Sequence, residues 1–347
     1  MEETYDPKAE IVCPRQFYRD HGERGVEERL RGAGYVIQEE TLFDLCEALD
    51  GNLNLLCEGE PGSGKTFLGE ALGVAFNLPE DFLHCHEELD EARLLGHFDK
   101  DLQESEYRTA LDVEKLSVAE AYARKWTINC YRLGGFLYPF HFRATTGLPC
   151  IGIWDEVEKL RQSCEIMAYG ILARGYFRVR ELKPSPYVGI RDGADQPLIV
   201  ATTNNMKTGE KRGDKDSLTE PFRDRFITTF VNTPGPAERV AILRAQVPDA
   251  ATELLKQVVK LVKEIELMPE VHKKPTLRRI IHMTRSLSRK GVTQIDADVL
   301  RRKLCYLGTQ QKDRRNLRES VAHLVKRSLA GNAEIDRLFL NDGVLVV

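Results

Sequence analysis

The stretch "EGEPGSGKT", Glu58–Thr66, lies between the apolar run "NLNLLC" and the helical pattern "FLGEALGVAF". A short apolar run, a glycine-rich turn and then a helix form a strand–loop–helix unit. Glycines let the backbone turn tightly and aim its N–H groups at an anion, and the following helix adds its positive end. The segment fits G-x-x-x-x-G-K-[ST] at Gly59, Gly64, Lys65 and Thr66. In that pattern the lysine reaches the β- and γ-phosphates and the hydroxyl ligates Mg²⁺. The binding stretch runs Gly59, Glu60, Pro61, Gly62, Ser63, Gly64, Lys65, Thr66 and Phe67.

Working outward, four more short apolar runs have strand character: 81–86, 150–155, 197–203 and 226–231, beside 53–58. Helical stretches separate them, which predicts a five-stranded parallel sheet covered on both faces, an α/β P-loop fold. Roughly 60 residues separate the second and third runs, about twice a usual helical crossover. That span includes "SVAEAYARKW", read as helix, and "GGFLYPF", Gly134–Phe140. The aromatics of "GGFLYPF" either face a client or pack onto the sheet. The segment "GYFRVRELKPSPYVGIR", Gly175–Arg191, alternates on both sides of "KPSP" and reads as a β-hairpin.

After "NTPGP", Asn232–Pro236, glycine becomes rare and helical spacing dominates. The organisation read from this is an N-terminal extension (1–35), an α/β domain (36–235), a helical domain (236–330) and a tail (331–347). The tail "LFLNDGVLVV" reads as a hairpin or a docked end.

"IGIWDE" supplies a strand ending in Asp155, placed to hold Mg²⁺, and then Glu156, placed to polarise an attacking water. "LIVATTNN" ends a further strand in Asn204 and Asn205, either of which positions water or the γ-phosphate. "EPFRDRF" sets Arg223 and Arg225 just before the last strand, and "KPTLRR" sets Arg278 in the first turn of a helix.

This set of motifs resembles an AAA+ ATPase over about residues 35–310, and more narrowly its MoxR and dynein-related branch. The branch likeness rests on "LLGHFD", "VATTNN" and "PFRDRF", on the long second connection and on the hairpin at 175–191. The resemblance implies a sheet order of 5-1-4-3-2, a helical lid, and ATP with Mg²⁺ as cofactors. It puts Asn204 in the sensor-1 place, Arg225 or Arg223 in the arginine-finger place and Arg278 in the sensor-2 place. It further implies an oligomeric ring, often a hexamer, that remodels a protein client with a von Willebrand A-domain partner. Two positions depart from the branch: Asn205 stands where proline is usual, and "TLR" replaces "SPR".

Composition limits the alternatives. The chain has 347 residues, 42% hydrophobic and 30% charged, with a net charge of −4, an ordinary globular balance. No apolar run reaches the roughly 18 residues of a membrane helix, and the acidic start is not a secretory signal. Eight scattered cysteines suit a reduced, cytoplasmic chain. "HCH" at 84–86 puts His84 and His86 on one strand face, without the partner motifs of a zinc site. Residues 271–330 carry sixteen Lys and Arg against four Asp and Glu. That surface keeps a second reading open: a nucleic-acid-linked motor or an NTPase subunit of a defence or restriction complex. No residue distinguishes ATP from GTP.

Overall fold

The strand at 54–59 is buried at every position, which is why its sequence shows no alternation: both faces are covered. The structure is a computed structural model that describes residues 6, 9–191, 195–204, 218–308 and 310–339. It divides into two units. One comprises Met1–Arg29, Gln38–Glu58 and Lys65–Phe230; the other comprises Leu30–Ile37, Gly59–Gly64 and Val231–Val347. The division falls at 230/231, a few residues before the change in composition. Residues 14–29, expected to be part of an N-terminal extension, belong to the first unit. Buried Arg15 donates to the carbonyls of Ala48 and Leu49 at 3.1 and 3.4 Å and to that of Leu53 at 3.3 Å.

The α/β unit starts with α1 (Pro14–Gly32), interrupted at Gly22, and α2 (Glu39–Asp50). Then come β1 (Asn54–Gly59), α3 (Lys65–Phe76) and β2 (Glu80–His84). The long connection holds α4 (Glu91–Leu94), β3 (Gly96–Phe98), α5 (Lys100–Asp112), α6 (Val118–Arg124), β4 (Tyr131–Leu133) and α7 (Tyr138–Thr146). β3 and β4 pair antiparallel and close the base of the α5–α6 insert. Asp99 caps α5, and Ser117 with Glu120 forms a capping box on α6. β5 (Ile151–Asp155) and α8 (Gln162–Arg174) follow. The expected hairpin is β6 (Tyr176–Arg178) paired antiparallel with β7 (Tyr187–Gly189). β8 (Leu198–Asn204), α9 (Glu220–Arg223) and β9 (Phe226–Phe230) complete the unit.

The main sheet is parallel, in the order β2-β5-β8-β1-β9. In strand sequence that is 5-1-4-3-2, as the resemblance implied. "GGFLYPF" largely joins the core instead of facing outward. Phe136, Leu137 and Phe140 are fully buried, and the Phe136 ring lies 4.5 Å from that of Trp154. Only Tyr138 of its aromatics is substantially exposed.

The second unit is helical from Val231 onward: α10 (Pro236–Gln246), α11 (Thr252–Glu266), α12 (Leu277–Ser288), α13 (Ala297–Leu307), α14 (Gln311–Glu319), α15 (Val321–Leu329) and α16 (Ala333–Arg337). Its own apolar core runs through Leu254, Val258, Leu261, Met283, Leu300 and Leu324. Buried Gln257 exchanges two 2.6 Å hydrogen bonds with the backbone of Ile295, which fixes the chain ahead of α13. The helical stretch from Leu317 to Gly331 is two helices, because the backbone opens at Ser320 (φ −95°, ψ 1°). Of the tail, residues 331–339 are described and carry α16, and residues 340–347, where a hairpin or docked end was expected, lie outside the described residues. All eight cysteines are free thiols. Among the described residues no helix is long and apolar enough to cross a membrane.

One buried acid on β2 predicts a pH effect. Asp81 Oδ2 has no hydrogen-bond partner among the described residues, and burial pushes its carboxyl up to about 7. The folded state therefore prefers the neutral acid. That contribution is complete below the unfolded value of roughly 4 and is lost as pH rises through about 7. Asp81→Asn should melt progressively higher than the wild type as pH goes from about 5 to about 8. A difference in Tm that stays flat with pH contradicts this.

Candidate functional site

The loop Gly59–Gly64 has the backbone a phosphate cradle needs. Gly62 and Gly64 take φ values of 86° and 106°, which side-chain-bearing residues rarely adopt. Ser63 N–H turns back to the Glu60 carbonyl at 3.2 Å, while Glu60 and Pro61 are exposed. α3 then starts at Lys65, so the positive N-terminal end of that helix follows the glycines directly. Phe67 lies half-buried in that first turn.

In the α/β unit, Lys65, Thr66, Asp155, Glu156 and Asn204 come together. The Thr66 hydroxyl donates to Asp155 Oδ1 at 2.7 Å, and the Thr202 hydroxyl donates to the same oxygen at 2.7 Å. A hydroxyl and a carboxylate side by side suit a hard cation that takes its other ligands from water and phosphate. Among the described residues no group of three or more His, Cys, Asp or Glu forms a metal cage. The donor set, Thr66 with Asp155, fits a hard cation such as Mg²⁺.

Lys65 is buried, and its Nζ lies 3.4 Å from Asn204 Oδ1. Burial holds its amine below the usual lysine range, while Glu158 first, and then Cys57, Asp155 and Glu156, act in the opposite direction. Asn204 Nδ2 donates to Glu158 Oε1 at 2.7 Å and approaches Glu156 Oε1 at 3.5 Å. One amide thereby links the cation to two carboxylates. Glu156 sits in left-handed backbone (φ 59°, ψ 48°), and its N–H donates to Thr202 Oγ1 at 3.0 Å. Its carboxylate is paired with Lys159 and lies 3.6 Å from His84 Nε2. His84 Nδ1 is 3.4 Å from Asp155 Oδ2.

Thr202, Glu158 and Lys159 are absent from the sequence reading, which weighs His84 only as a metal ligand beside His86. Thr202 had a signal, since it shares a strand face with Asn204 two residues on. His84 had none short of the sheet order: it sits opposite Asp155 only because β2 pairs with β5. Glu158 and Lys159 lie in a single 3₁₀ turn, Val157–Lys159, that no periodicity announces.

The arginines divide. Arg223 Nη1 lies 2.6 Å from Glu58 Oε1, a close charge contact without hydrogen-bond alignment. Glu58 is buried at the end of β1. Arg225 Nε is buried and has no hydrogen-bond partner among the described residues. Arg278 is exposed in the first turn of α12, in the second unit. Two residues before it, Thr276 packs so closely on the Gly62 backbone that a Cβ at Gly62 would meet it at 2.7 Å. Asn205 lies outside the described residues.

No family model matches the chain. It is 41% identical over 63 residues to an uncharacterized protein of Staphylococcus haemolyticus, 18% of this chain and 24% of that protein. It is 37% identical over 68 residues to one of Staphylococcus saprophyticus, covering 19% and 26%. It is 39% identical over 66 residues to the uncharacterized protein YojN of Bacillus subtilis, covering 19% and 22%. The chain spans about a quarter of the length of the curated relatives it matches.

Because Arg223 neutralises a buried carboxylate of its own chain, Arg223→Ala should lower stability by about 1–3 kcal/mol. Arg225→Ala should leave stability within about 0.5 kcal/mol. Urea unfolding of both variants checks this. Equal losses would contradict the division of roles.

Proposed function

We propose that the chain is a MoxR-like AAA+ ATPase that works in an oligomeric ring to remodel or mature a protein client. The helical unit serves as its lid and a von Willebrand A-domain protein as its partner. The observation that carries this reading is the pair of hydroxyls, Thr66 and Thr202, on one Asp155 oxygen beside the Lys65–Asn204 contact. A loop that only turned the chain would need neither a buried lysine nor a hydroxyl aimed at a carboxylate two strands away.

In this reading the loop N–H groups and Lys65 hold the phosphates, and Thr66 with Asp155 orients Mg²⁺. The bound ion would neutralise charge developing on the β- and γ-phosphates. Glu156 takes a proton from the attacking water, and Asn204 fixes that water relative to the γ-phosphate. Glu156 is engaged by Lys159 and His84 in the structure, so its carboxylate must leave those contacts to act as base. Arg225, unlike Arg223, has no charge partner in its own chain among the described residues. In this reading Arg225 is the finger offered to a neighbour's nucleotide, and Arg278 is the sensor on the lid.

Glu156→Gln should bind ATP with near wild-type affinity and lose roughly 10²–10⁴-fold in turnover. Arg225→Ala should likewise bind and fail to hydrolyse. Mixing the two variants should restore part of the activity, since some intact Glu156 sites then face an intact Arg225. Wild-type turnover by Glu156→Gln would overturn the base assignment. No rescue in rings shown to co-assemble would place Arg225 outside a neighbour's site.

A further inference from the structure

Within residues 271–330 the sixteen cations face only four acids, and the structure spends all four acids locally. Asp296 caps α13 by accepting from Val299 N at 2.8 Å. Asp313, fully buried, accepts from the backbone N–H groups of His272 and Lys273. Asp298 pairs with Arg301 and Glu319 with Arg315, each within its own helix. Some cations are also structural. Lys274 donates to the Ile265 and Met268 carbonyls at the end of α11. Arg279 and Arg314 donate to the Cys305 and Gly308 carbonyls at the end of α13, where the helix dipole favours positive charge.

Arg285 donates to the Gln246 carbonyl, Arg327 pairs with Glu264 and Lys303 bonds Ser286, which leaves a further group of cations without such contacts. Arg289, Lys290, Arg302, Lys312, Arg318 and Lys326 are exposed, and none has a carboxylate partner among the described residues. Arg289 and Lys290 follow α12, Arg302 lies on α13, Lys312 and Arg318 lie on α14, and Lys326 lies on α15. Arg279 from α12 and Arg314 from α14 both reach the last turn of α13, so those helices flank it there. Arg302 lies one turn earlier on the exposed side of α13. Toward the other end of α12, the largely buried Lys303 Nζ donates to Ser286 Oγ at 2.6 Å. Burial, and then nearby Lys290, hold that amine below the usual range, while Cys305 acts in the opposite direction.

Such crowding costs stability through self-repulsion, so folding alone does not account for it. We infer that the exposed face of α12, α13 and α14 binds the phosphate backbone of a nucleic-acid duplex. Arginine forks and lysine point charges suit phosphate oxygens. The large exposed hydrophobics of this unit are Leu267 and Leu329, with no aromatic among the described residues. The face therefore lacks the stacking platform that single strands use and lacks an apolar anchor for a membrane surface. Binding should be independent of sequence. The inference goes beyond the ATPase reading and does not need it.

The test uses the full chain without nucleotide, with fluorescence anisotropy on DNA and RNA duplexes of about 30 base pairs across a salt series. Expected is binding that weakens steeply with salt, with a log–log slope of about −0.9 per phosphate neutralised. Arg302→Glu with Arg318→Glu should cut affinity at least about tenfold and flatten the slope by about two. If that variant does not fold, Arg302→Gln with Arg318→Gln carries the same comparison. Preference for DNA or RNA identifies the duplex. No duplex binding at about 50 mM salt, or unchanged affinity in a folded variant, overturns the inference. So does poly-glutamate competing as well as the duplexes at equal charge, which would point to an acidic protein instead.

Discussion

Two hydroxyls converging on a single carboxylate oxygen define what the α/β unit can do. Thr66 and Thr202 both donate to Asp155 Oδ1, and they come from the helix after β1 and from β8, while Asp155 ends β5. That meeting requires β8 to lie between β5 and β1, as the sheet order has it. It also requires α3 to begin at Lys65, which the left-handed glycines make sterically possible. The buried ammonium of Lys65 and the amide of Asn204 then have somewhere to point. Remove the order of three strands and the residues remain, but no site forms.

Much of this was legible along the chain. Fully buried strands read as unbroken apolar runs, and the five predicted runs match β1, β2, β5, β8 and β9 to within two residues at either end. The glycine-rich turn named Lys65 and Thr66 without any structure, because its chemistry is local. Asp155 and Asn204 were visible as polar residues ending apolar strands. What stayed hidden depends on neighbours distant in sequence. His84 faces Asp155 only through strand pairing, and Arg223 meets Glu58 only because β9 lies beside β1. Phe136 looked like a displayed aromatic because its loop is bounded by glycine and proline, yet it fills the core against Trp154. The sequence could not separate Arg223 from Arg225, since the difference between them is a contact and not a pattern.

The two units divide the chemistry unevenly. The α/β unit holds the carboxylates, hydroxyls and amide that would act on a phosphate chain. The helical unit from Val231 onward carries surplus positive charge, and the four acids of residues 271–330 are held in a cap, a buried backbone contact and local pairs. Glu156 illustrates how the first unit restrains itself: Lys159 and His84 occupy its carboxylate, and Asn204 is hydrogen-bonded to Glu158. On the proposed reading, a base so engaged waits for a ligand to rearrange it.

The most direct test of the Thr66–Asp155 contact as a metal-dependent nucleotide site is a titration of ATP affinity against Mg²⁺. Wild type and Asp155→Asn should be compared by calorimetry. The account predicts that Mg²⁺ tightens ATP binding to the wild type and does so far less in Asp155→Asn. An identical Mg²⁺ dependence in the folded variant, or no ATP binding by the wild type, would contradict it.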